Sequence, residues 1–173
     1  MNTNVIDFYQ QEQRRIHGEL REAVEKLSFN EWHFLPSNNS KHIAFIFLHS
    51  VRTEDNVLRF ILQGRPPIWD AEKWFTRLNL PERLQGNEAT PTDARRITIK
   101  DPSLLLQYAE RVWQHSEAYL ASITDGGLAQ AERIITVHPL GNIPALQVIG
   151  QVCISNMFKH LGEINMLLNA QGK

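Results

Sequence analysis

Cys153, Asn156 and His160 stand at i, i+3 and i+7, a spacing that sets a thiol, an amide and an imidazole along one side of a helix. The same side carries Leu146, Ile149, Met157, Ile164 and Leu167, so these polar groups face an apolar interior. They need partners there, because an unpaired buried polar group costs about 1–3 kcal/mol. A second imidazole, His49, lies on the flank of another apolar helix, beside Phe45, Ile46 and Phe60. Interior histidines supplied by different helices are the usual raw material of a metal site in a helical bundle.

Four helices must position these groups. The first is expected from about Val5 to Leu27, with Val5, Tyr9, Ile16, Leu20, Val24 and Leu27 near helical spacing. The second runs from about Ser40 to Gln63. Arg52, Asp55, Arg59 and Gln63 share one narrow face of it, and nearly everything else is apolar, which predicts burial. Gly64 is placed to end it, and Pro66-Pro67 prevents continuation. The third starts at Asp101-Pro102, a cap followed by proline, and is expected to stop at Asp125-Gly126-Gly127. The fourth spans about Ile143 to Asn169. Residues 64–101 read as a crossover with a short helix over Trp69–Phe75, the Trp69/Trp74 pair forming an apolar lid. Arg133–Val137 is β-prone and could form a strand or hairpin. The fold class is therefore all-α, a four-helix bundle with a long crossover between helices two and three.

The composition bounds the function. At 173 residues the chain is one domain, residues 1–173, able to bury about 70% of its unfolded surface. It has 18 Lys+Arg against 19 Asp+Glu, a formal net charge of −1, which argues against a nucleic-acid partner needing a basic excess. No apolar run approaches the roughly 20 residues of a membrane span, and no basic and apolar leader opens the chain. One cysteine permits no internal disulfide and no CxxC pair. These features predict a cytoplasmic protein without nucleic-acid or membrane partners.

His160-Leu161-Gly162-Glu163-Ile164 resembles the HxGEI/HxGQI signature that ends the last helix of the DinB/YfiT-like superfamily. Similar pieces in the same order are Ile43–His49 followed by Glu54-Asp55, Gly64–Trp69, Tyr108–Val112 and the terminal Asn169–Gly172. The resemblance implies an up-down-down-up bundle, often a homodimer. It also implies a three-histidine site for a divalent metal such as zinc or nickel, and in some members thiol-dependent transfer with a low-molecular-weight thiol. In that pattern one ligand comes from helix two and two from an HxxxH on the last helix. His49 matches the first and His160 the last, while the remaining position falls on Asn156. An i, i+4 pair can converge on one ion. An amide oxygen, however, is a weaker and harder donor than imidazole, so His49, His160 and Asn156 would hold zinc less tightly than three histidines.

Two functions follow from this set. One is a metal-binding bundle acting as a thiol-dependent transferase or metal-assisted hydrolase on a small molecule. The other is a non-catalytic dimeric bundle with a degenerate site, a binding or stress-response module; whether the chain is an enzyme stays open. His115, on the inner face of helix three, is a reserve ligand expected about one turn too low. Cys153 is poorly placed as a replacement ligand and is read as a small buried hydrophobe. Glu163 is read as a local partner within the signature. Glu54, five residues after His49, is expected to be solvated or to support a ligand. His17, His33, His42 and His138 have no context favouring chemistry, and Arg95-Arg96 reads as solvated surface. A di-iron site is excluded by the lack of any Glu-x-x-His.

Overall fold

The computed structural model describes residues 5–86, 89–123, 132–138 and 140–173, which are mostly helical. Helix α1 (Val5–Val24) buries Ile6, Ile16, Leu20 and Val24, stopping one turn before the expected Leu27. A Ser28/Glu31 capping box then opens the single turn α2 (Phe29–Trp32).

Helix α3 (Ile43–Asp55) starts where His42 caps it. The His42 Nδ1 accepts from the Phe45 N–H at 3.0 Å and its Nε2–H donates to the Ile97 carbonyl at 3.0 Å. Burial, with the nearby His33 adding to it, pushes this imidazole down to about 4, so it stays neutral and able to accept as well as donate. The helix widens into a π-helical stretch, π1 (Asn56–Leu62), and ends at Gly64, whose φ of 64° suits a residue without Cβ.

Among the described residues the crossover contains three short helices. Where one was expected over Trp69–Phe75, α4 (Ile68–Ala71) and α5 (Trp74–Leu78) are parted by Lys73 in the left-handed region at φ 52°. Helix α6 (Pro91–Arg96) follows a Thr90/Asp93 capping box. Trp69 and Trp74 are buried against Tyr108 rather than bordering the cleft described below.

Helix α7 (Pro102–Ser122) is capped as expected by Asp101, which accepts from the Leu104 N–H. The expected stop at Asp125-Gly126-Gly127 lies outside the described residues. A two-stranded antiparallel hairpin, β1 (Ile134–Val137) with β2 (Gly141–Pro144), pairs Ile135 with Ile143. The last long segment therefore begins after Pro144, not at Ile143, as α8 (Ala145–Val148), a second π-helical stretch π2 (Ile149–Ser155), and α9 (Asn156–Asn169).

Helices α1 and α3 each pack against α7 and α9. One apolar cluster gathers Leu20, Phe47, Trp69, Tyr108, Trp113 and Ile164; a second gathers Val57, Leu62, Leu120, Val148 and Cys153. Among the described residues no helix is long and apolar enough to cross a membrane.

Candidate functional site

His49 on α3 and His160 on α9 meet where those helices pack, with ring centroids 5.1 Å apart and planes at 85°. The structure thus brings together the two histidines singled out from the sequence. His49 Nδ1–H donates to the Gln85 carbonyl at 2.9 Å, which assigns the tautomer and leaves Nε2 as the lone-pair nitrogen. Gln85 belongs to a strap of crossover chain tied to α3 and α4. The Leu84 carbonyl accepts from Arg52 Nε–H at 3.1 Å and the Glu82 carbonyl from Trp69 Nε1–H at 2.7 Å.

The strap approaches closely because the next residue is Gly86. Its φ is 86°, and a Cβ there would lie 3.0 Å from Phe45 Cζ and 3.2 Å from His49 Nδ1. Gly86→Ala is expected to cost about 1–2 kcal/mol from the left-handed backbone alone. It should also move the His49 ring resonances, a change that thermal melts and imidazole NMR would register together.

On the α9 side, His160 Nδ1–H donates to Glu163 Oε2 at 2.9 Å, and Asn156 Nδ2–H donates to His160 Nε2 at 3.1 Å. Glu163 is the local partner the signature suggested. His160 is 8% exposed. Burial holds His49 below its ordinary value against the opposing Gln85 carbonyl, and the neighbouring His160 and Lys41 lower it further. Both histidines and Asn156 line a cleft of about 510 Å³, with Phe45, Gly86, Lys159 and Met166 around them. His49 and Asn156 also border a second cleft of about 600 Å³ reaching Thr53, Gln85 and His138.

The other candidates lie elsewhere. Cys153 is fully buried, lines neither cleft, and burial pushes its thiol well up, leaving it unreactive. His115 is half-buried among Arg111, Arg59 and Glu72 rather than beside His49, and burial lowers it.

The expectation of a solvated or supporting Glu54 is overturned. Glu54 is fully buried, accepting from His17 Nε2–H at 3.0 and 3.1 Å and from Gln13 Nε2–H at 3.2 Å. It points to α1 because a step of five residues turns it well away from His49 around α3. His17 stacks on Trp113 at 4.8 Å, with Glu117 Oε1 3.5 Å from its Nδ1. This buried pair was missed from the sequence, although Gln13 and His17 fall on the inward stripe of α1 with Ile16 and Leu20.

Among the described residues no three His, Cys, Asp or Glu side chains gather as a ready metal cage. What the site offers is two imidazoles and an amide, a donor set that fits a divalent cation only weakly.

The fold and the site together define an all-α protein with paired histidines between two packed helices, beside an open cleft. The chain belongs to the DinB superfamily, whose family profile matches residues 13–164. The crystal structure of a conserved protein from Enterococcus faecalis is similar, with a TM-score of 0.83 and 20% identity over 99% of each chain. At that identity the likeness speaks to the fold. No curated protein matches the chain.

Proposed function

We propose that this is a ligand-binding bundle of up-down-down-up topology in which His49 and His160 hold a zinc or nickel ion weakly, the Asn156 amide oxygen or solvent completing the shell. The observation that carries this reading is the pair of imidazoles with each Nδ1–H engaged, His49 by Gln85 and His160 by Glu163. That arrangement fixes both rings in the tautomer a metal ligand uses. When bound, such an ion supplies Lewis-acid chemistry, suited to thiol-dependent transfer or hydrolysis of a small molecule. The protein's own part is to orient: Gln85 and Glu163 hold the rings, and Phe45 stacks parallel to His49 at 6.3 Å. We further propose a cytoplasmic homodimer, which light scattering on purified protein would check.

The bond from Asn156 to His160 Nε2 favours a second reading. There the amide occupies the lone pair that a metal would use, and the molecule is a non-catalytic binding or stress-response module with a degenerate site.

Zinc titration of untagged protein separates the two. The first reading expects weak, stoichiometric binding that His49→Ala and His160→Ala both abolish; sub-stoichiometric metal indifferent to either substitution would sink it. Asn156→His is expected to tighten binding by more than about 100-fold, since even an outer partner shifts metal affinity 10–100-fold. Tight binding already present in the wild type would count against the second reading.

A further inference from the structure

The cleft beside the histidine pair is unevenly charged for a chain whose formal net charge is −1. Lys41, just before the His42 cap of α3, and Lys159, just before His160 on α9, both line it. Among the described residues the lysine ion pairs are Lys26 with Glu25 and Lys173 with Glu31, so neither cleft ammonium has a carboxylate partner there. Among the described residues Glu163 is the acidic side chain lining this cleft, and its Oε2 is engaged by His160 Nδ1–H. Lys41 Nζ lies 5.3 Å from the Phe45 ring centroid, so one cation stands directly on the cleft's apolar wall. Met166, 65% exposed, continues that wall at the mouth.

The cation reading sharpens the imbalance. His49, His160 and Asn156 are neutral donors, so among the described residues a divalent ion bound there would have the Glu163 carboxylate on His160 set against two cleft-lining ammonium groups. A charge of that sign in a partly desolvated cleft needs a counter-charge from the ligand.

From this placement we infer that the cleft takes a small organic anion, its charged group between Lys41 and Lys159 and its apolar body against Phe45 and Met166. The inference rests on this cleft being the ligand site proposed above, and it does not require the metal. A carboxylate and a phosphate share the recognised chemistry, and ammonium groups bind either as point charges.

Calorimetry on the full chain in excess EDTA, with phenylacetate, phenyl phosphate and neutral phenylacetamide as probes, tests it. At least one anion should bind roughly tenfold or more tighter than the amide, and which one does so names the charged group. Lys41→Gln/Lys159→Gln together should erase that preference, while Lys26→Gln leaves it intact. Equal binding of acid and amide, or a preference that survives the double substitution, overturns the proposal. Zinc titration of the same double variant keeps the two ideas apart: zinc affinity should hold or rise as positive charge is removed. Failure of zinc to bind any form would remove the cation reading and leave the anion result standing.

Discussion

Replacing Asp55 with alanine is expected to destabilise the protein by about 3–5 kcal/mol, the range for breaking a buried charged pair. At about 2–4 °C per kcal/mol for a chain of this size, the melting temperature should fall by roughly 6–20 °C. Asp55 is fully buried and accepts from the Ile68 N–H at 2.8 Å, the Trp69 N–H at 2.9 Å and the Tyr108 hydroxyl at 2.8 Å. Alanine strands all three donors in the interior. It also removes the carboxylate 3.8 Å from the buried Arg52, whose guanidinium lies 4.4 Å over Trp69 and whose Nη1 has no hydrogen-bond partner among the described residues. Asp55→Asn keeps one acceptor and should lose about half as much. Because Asp55 anchors the start of α4, and Arg52 and Trp69 hold the strap that carries Gln85, Asp55→Asn should also weaken zinc binding at His49 while the protein remains folded. Unchanged melting in Asp55→Ala would show that this carboxylate does not join the crossover to α3.

The periodicity of apolar residues was enough to find the long helices, because each must bury one face and the caps at Asp101 and Gly64 are chemically distinctive. It was also enough to bring His49 level with His160, since two residue positions and a 1.5 Å rise determine height along packed helices. The strap was invisible for a plain reason: its contribution to the site is the Gln85 backbone carbonyl, which any residue supplies. The only side-chain trace is the glycine that follows. The π-helical stretches flank the site, π1 beginning two turns after His49 and π2 ending at the residue before Asn156. A π turn is set by what the helix must pack against, not by a preference of its residues. At Gly150, for example, a Cβ would come within 2.7 Å of the Tyr9 hydroxyl.

Glu54 and Asp55 show a different failure. They are neighbours in sequence, and a helical-wheel reading turns charged residues outward. Here successive residues point in directions about 100° apart, so one carboxylate reaches α1 and the other the crossover. Each is satisfied by donors far along the chain, which a local pattern does not contain. Buried charge is tolerable only when such partners exist, and the price of the arrangement is sensitivity to pH.

The His17–Glu54 pair should make stability fall as pH rises above 6.5, and the wild type and His17→Ala together isolate the effect. Burial by itself would lower His17, but Glu54 and then Glu117 outweigh it and hold the imidazole above its ordinary 6.5. The groups facing it are Gln13 on its own helix, Glu54 on α3, and Trp113 and Glu117 on α7, with Arg14 3.7 Å from Glu117. A histidine raised in the folded state contributes stability that is fully present below 6.5 and disappears as pH climbs through the folded value. At pH 6, His17→Ala should therefore cost about 3–5 kcal/mol, because it leaves Glu54 buried and uncompensated. By pH 9 the cost should shrink, by about 1.4 kcal/mol for each unit the folded value is raised. His42, pushed down instead, contributes the opposite slope at lower pH, and it cancels when the two proteins are subtracted. Glu54→Gln keeps the side-chain size and one acceptor oxygen but removes the charge, so its stability should lose the slope above pH 6.5. A His17→Ala penalty equal at pH 6 and pH 9 would mean that His17 titrates alike in the folded and unfolded protein and that Glu54 does not hold its proton.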